Sequence, residues 1–176
     1  MRMQLRKKPP GAAERSSMGL FGRKKAVEWD MSRSSSSRVA MQHLFEEAVP
    51  DYGGFKLLYG YNTDVRNMAY AGGAGPFSFR SMIIGYREGD MSLVIVDTVP
   101  DFSVHGEVQR FTRDSIRGTK IHSMTGAYTI FRRGGINAGY VDFVIPEGSA
   151  GSESLAYILQ EEALPGWKEF WRDFAG

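Results

Sequence analysis

The chain holds no cysteine among its 176 residues. Disulfides, thiolate nucleophiles, thiolate zinc sites and iron–sulfur clusters are excluded together, and the absence fits a reducing, cytoplasmic setting. Long apolar runs are missing as well. The longest, such as "MSLVIV" (Met91–Val96), have strand length, far short of the ~20 residues that span a bilayer. No secretory leader is expected, because Glu14, Arg15 and two serines interrupt "GAAERSSMGLFG" after the basic N-terminus. Met18 opens "MGLFGRKK", a second reasonable beginning that would make residues 1–17 an over-extension; Arg23 stands where a myristoylation signal carries Ser or Thr.

Chemistry-bearing motifs are equally sparse. His43, His105 and His122 share no HxxxH or HExxH spacing, so no metal site is expected. Ser103, His105 and Asp97 or Asp101 offer the residue types of a nucleophile, base and orienting acid, without the G-x-S-x-G elbow that would support them. "AGGAGPF" from Ala71 lacks the GK[ST] of a phosphate-binding loop, and Ser78 occupies the third-glycine position of the dinucleotide fingerprint. No catalytic residue and no cofactor is expected.

What the chain does have is charge asymmetry behind a net charge of +2. Residues 1–25 contain eight of the 22 Lys and Arg but only Glu14 of the 20 acidic residues, so the remainder is net negative. Arg6, Lys7, Lys8, Arg23, Lys24 and Lys25 form a candidate electrostatic tail, able to attract phosphates or anionic lipid. Its composition equally describes a solvated, disordered leader. A second basic set, Arg110, Arg113, Arg117, Lys120, Arg132 and Arg133, faces only Glu107 and Asp114 across three strand candidates. It is the candidate contact surface for an anion, an acidic partner or nucleic acid. Tyr128 and Phe131 are interleaved with it, and alternation in "AYTIFRR" predicts that at least one of these rings is buried.

Patterning divides the chain into a basic, Ser-rich tail over 1–35 and one domain over 36–176. "SRSSSSR" reads as a polar linker supplying N-caps, and Val39, Met41, Leu44, Phe45 and Ala48 predict a helix from about Ser36 to Val49. Beyond Phe55 the period becomes strand-like. "FSFRSMIIGYREGDMSLVIVDT" predicts a hairpin turning at "REGD", preceded by "FKLLYGYN" and "DVRNMAY" and followed by "VHGEVQRF", "GTKIHSM", "GAYTIFRR" and "GYVDFVIP". The end is helical again: Ser152 is a candidate N-cap, and Leu155, Ile158, Leu159, Trp167, Phe170, Trp171 and Phe174 keep one stripe, interrupted at Pro165. Opposite lie Lys168, Glu169, Arg172 and Asp173, a neutral face unlike the Lys/Arg-rich face of a membrane-lying helix. The stripe is therefore expected to plug the protein's own core.

Seven or eight short antiparallel strands followed by one aromatic-faced helix resemble the bacterial pleckstrin-homology-like (PH-like) domain. The resemblance rests on the succession "SMIIGYREGDMSLVIVDT", "DSIRGTKIHSM", "GAYTIFRRGG" and "YVDFVIP", and spans about residues 55–174. Residues 1–50 lie outside it; with the N-terminal helix read from periodicity, the expected fold is α+β, a predominantly antiparallel β-barrel or sandwich (PH-like) with an N-terminal helix and a C-terminal capping helix. The resemblance also implies a non-catalytic scaffold that binds lipid headgroups, peptides or proteins. Lys56 and Arg66 match basic positions of phosphoinositide-binding members, but Met68 replaces their second Arg. The expected function is thus a cytoplasmic binding or adaptor domain that contacts a protein partner or an anionic membrane surface. An enzyme or small-ligand binder using the barrel interior and a homo-oligomeric interaction protein are the alternatives, and nucleic acid stays open as a partner.

Overall fold

The computed structural model describes residues 28–63, 79–134 and 138–176. The stretch "DVRNMAY", the glycine loop from Ala71 and the basic residues of the tail lie outside them.

Helix α1 (Met31–Ala48) opens at Asp30, whose side chain accepts the Arg33 N–H at 3.0 Å. It therefore starts at Met31 and not at about Ser36, and residues 31–35 belong to the helix, not to a tail. Serines are indifferent helix formers because their hydroxyls compete for the backbone. Here tertiary contacts decide: buried Ser34 accepts the Leu159 N–H at 2.9 Å, and Arg38 donates to the Leu159 carbonyl. Pro50 then prevents the turn from continuing.

Strands β1 (Lys56–Thr63), β2 (Phe79–Arg87), β3 (Ser92–Thr98) and β4 (His105–Phe111) form one antiparallel sheet in that order. The β2–β3 hairpin is in the expected place, with Arg87 opposite Ser92 and the turn clamped by Arg87 on Asp90 at 2.6 Å and 3.0 Å. Its strands are buried on both faces, the physical reason for their nearly continuous apolar runs. On one face Ile83, Val94 and Val96 pack against Met41, Leu44 and Phe45 of α1. Gly85 allows this approach: a Cβ there would lie 2.4 Å from the Phe45 ring.

The other face meets a second antiparallel sheet, β5 (Ile116–Ile121), β6 (Tyr128–Arg132) and β7 (Tyr140–Phe143). Among the described residues one isolated backbone bridge, Tyr61 with Val144, links the two sheets along their edge. No ladder joins β4 to β5, so among the described residues the strands do not close into a barrel. The architecture is α+β with antiparallel sheets.

A further correction concerns the C-terminal helix. The segment from Ser152 through Leu159 is not its first half: Gly148–Ala150 (β8) and Tyr157–Leu159 (β9) pair as a hairpin, and α2 spans Leu164–Ala175. Ser152 caps the intervening turn instead, accepting the Ser154 and Leu155 N–H groups at 3.2 and 3.1 Å. Pro165 falls in the first turn of α2, where an amide has no intrahelical partner to lose. Trp167, Phe170, Trp171 and Phe174 are buried between the sheets, while Lys168, Glu169, Arg172 and Asp173 are exposed. Among the described residues no helix is long and apolar enough to cross a membrane.

Candidate functional site

The six basic residues expected to share a contact surface divide into two groups. Arg110 on β4 is engaged by Asp51, with contacts of 2.5 and 3.2 Å, and the guanidinium holds that carboxyl below the usual carboxylate range. Arg132 on β6 turns inward, donating to Gln109 at 2.5 Å and lying 5.7 Å over the Phe111 ring. Arg132 thus ties β6 to β4 across the seam between the sheets, whereas Arg110 ties β4 to the turn that follows α1. Arg113, Arg117, Lys120 and Arg133 are exposed, and among the described residues none forms an ion pair.

Lys120 belongs to a cleft that the sequence did not reveal. Between β5 and α2 lies a cavity of about 570 Å³ lined by Thr119, Lys120, Ile121, Tyr128, Lys168, Trp171 and Arg172, with Ala175 and Gly176 at the end of the helix. Tyr128, predicted as one of two alternating rings, points into the core, 4.9 Å from Trp171, and these rings floor the cleft. Ile121 is 52% exposed on its wall. Among the described residues Lys120 and Lys168 form no ion pair, and Arg172 pairs with Asp173 alone, at 3.1 Å on the exposed surface, a contact worth little against water. The rim is cationic and the floor aromatic.

The backbone of β5 adds a third property. The His122 N–H donates to the Ala127 carbonyl at 2.8 Å, and Lys120 stands opposite Thr129. Hydrogen-bonded and non-bonded pairs alternate along an antiparallel ladder, so Lys120 bonds toward β6. The N–H and C=O groups of Thr119 and Ile121 therefore face away from the sheet, along its edge.

Other candidate chemistry is not assembled. Asp101 accepts the Ser103 N–H at 3.0 Å, His105 Nδ1 lies 3.2 Å from the Gly106 carbonyl, and Asp97 pairs with Arg80. No hydrogen bond joins a serine hydroxyl to a histidine among the described residues. There, too, no three His, Asp or Glu side chains are placed to hold a metal ion. Lys56 is taken by Glu88 at 2.6 Å, which raises its pKa; Arg66 and Met68 are outside the described residues.

Asp97 carries a testable consequence. Burial raises its pKa, and Arg80 only partly opposes the shift. A carboxyl with a folded pKa above its unfolded value favours folding while protonated, and that contribution is lost as pH rises through the folded pKa. The Asp97 contribution to the unfolding free energy should decline as pH rises from about 4, where the unfolded aspartate titrates, through the raised folded value. In Asp97→Asn this part of the slope should vanish, as urea midpoints across acidic pH would record; an unchanged slope would assign it to other groups.

Compared with protein-family models, with curated proteins and with solved structures, the chain matches none.

Proposed function

We propose that the chain is a non-enzymatic adaptor domain on a PH-like scaffold, which captures an extended acidic segment of a protein partner in the cleft between β5 and α2. One coincidence carries the reading: a free strand edge, a cationic rim and an aromatic floor meet in a single cavity. An extended peptide laid along β5 gains main-chain hydrogen bonds from Thr119 and Ile121, alternate side chains enter the floor, and flanking carboxylates meet Lys120, Lys168 and Arg172. Charge complementarity of this kind governs encounter and register more than affinity. The filled interior between the sheets, occupied by Trp167, Phe143 and Ile130 with no exposed surface to speak of, favours a surface contact over a ligand held inside. The basic tail serves as an optional electrostatic tether to an anionic surface.

The test uses a fluorescein-labelled extended peptide with alternating Leu or Phe anchors and Asp or Glu flanks, followed by anisotropy. Lys120→Glu with Lys168→Glu should weaken binding at least about tenfold, the loss of two charge contacts. Thr119→Pro, which removes an outward donor from an edge strand, should do the same while far-UV circular dichroism stays unchanged. Equal binding of a Lys-flanked peptide would sink the reading. Salt-sensitive sedimentation with anionic vesicles that persists in these variants would place the dominant anion contact on residues 1–25.

A further inference from the structure

We infer that the outer face of the β5–β6–β7 sheet is a stacking platform for single-stranded nucleic acid. It lies on the other side of β5 from the cleft and shares only Lys120, at the edge between them.

The other faces of the two larger sheets are occupied. The outer face of the first sheet lies under α1 and β9, and the inner faces of both sheets share a core. On the second sheet, alternation sends Tyr128 and Ile130 inward with Val141 and Phe143, and turns Phe131, Tyr140 and Lys120 outward. Among the described residues no helix or strand covers that side. An open antiparallel face is ordinarily polar, yet this one presents two neighbouring aromatic rings. Tyr140 is 56% exposed and belongs to neither core cluster.

The rings are arranged for a ligand and not for each other. Phe131 and Tyr140 have centroids 6.3 Å apart with planes inclined at 53°, so neither occupies the other's face. Across the ladder from Phe131 stands Gly118, where an added Cβ would meet nothing within 4 Å. The floor beside the ring is open. Arg117 lies 5.5 Å over Phe131 with no carboxylate partner among the described residues, a guanidinium plane on which a base can also stack. Arg133 is held near the start of β5 by its N–H bond to the Ser115 carbonyl at 3.1 Å. Lys120 marks the other end of the face. The carboxylate nearest these groups on β7, Asp142, is half-buried and accepts a hydrogen bond from Asn62 at 3.2 Å.

Cations at both ends with π faces between them match a backbone of phosphates carrying unstacked bases. An acidic peptide would use the charges but leave the ring faces idle. A duplex would present phosphates but keep its bases stacked.

The experiment is anisotropy of 5′-labelled oligothymidylate and oligouridylate of about 12 nucleotides, within the span of single-strand sites, against a duplex of equal length, with the full chain. Single strands should bind at least about tenfold more tightly than duplex. Tyr140→Ala and Phe131→Ala should each weaken single-strand binding by about tenfold, the loss of one stacked base, and Tyr140→Phe should retain it. Arg117→Gln and Lys120→Gln should each flatten the dependence of log K on log salt by ~0.7 per phosphate. Lys168→Glu, which disables the cleft, should leave oligonucleotide binding unchanged. Binding that ignores Tyr140→Ala, or that is equal for duplex and single strand, would assign the affinity to the basic tail and overturn the platform; so would no binding at low salt.

Discussion

Replacing Trp167 by alanine should cost about 3–5 kcal/mol of folding free energy, the range for removing a fully buried tryptophan. The residue has no exposed surface, and its ring contacts Tyr86, Tyr128, Phe143, Phe170 and Trp171 at centroid separations of 5.3–6.1 Å. It is the point at which α2 locks both sheets. Domains of this size are stable by roughly 5–15 kcal/mol, so the variant should lie near the edge of folding, read as a large fall in urea midpoint by far-UV circular dichroism. Trp167→Phe provides the contrast. The indole Nε1 is buried without a hydrogen-bond partner among the described residues, an arrangement that itself costs about 1–3 kcal/mol. Phenylalanine removes that orphan donor together with some packing, and should cost less than about 2 kcal/mol. A loss below about 1 kcal/mol in Trp167→Ala would mean that α2 rests on the sheets without closing them.

The same helix shows what a sequence can and cannot convey. The spacing of Trp167, Phe170, Trp171 and Phe174 suits only a helix, and the four rings are buried on one stripe. Leu155, Ile158 and Leu159 fit a 3.6 period equally well, yet Ile158 is the inward residue of a three-residue strand with Tyr157 and Leu159 half-buried beside it. Three apolar positions cannot distinguish the two periods. The serine run was ambiguous for another reason: its helical state depends on Leu159, far along the chain. Composition located the basic residues on β4, β5 and β6 but could not tell Arg110 and Arg132, satisfied by Asp51 and Gln109, from Arg117 and Lys120. The cleft was invisible because Lys168 and Arg172 join Lys120 only once α2 packs against β5; in sequence they belong to the polar side of a helix.

Gln160 shows how much of the fold can rest on one polar side chain, and Gln160→Leu should destabilise the protein by about 3–5 kcal/mol despite nearly conserving volume, since each buried orphan group costs about 1–3 kcal/mol. The side chain is 3% exposed. Its Oε1 accepts the Tyr59 N–H at 2.8 Å, and its Nε2 donates to the Tyr59 and Pro146 carbonyls, each at 2.8 Å. Two residues along β1, the outward backbone groups of Tyr61 are met by Val144, at 3.0 and 2.8 Å. The glutamine amide thus acts as one more peptide unit of a missing strand, closing the edge of β1 where the second sheet has turned away. Leucine would leave the Tyr59 N–H, its carbonyl and the Pro146 carbonyl without partners in a dry site. Gln160→Glu separates geometry from chemistry. An ionised carboxylate still accepts the Tyr59 N–H but confronts both carbonyls with a second acceptor, so this variant should be the less stable at neutral pH and recover as acid restores a donor. Urea midpoints for both variants at neutral and acidic pH decide it. If Gln160→Glu shows no gain on acidification, its Nε2 bonds are not what holds β1 to the segment leading into α2.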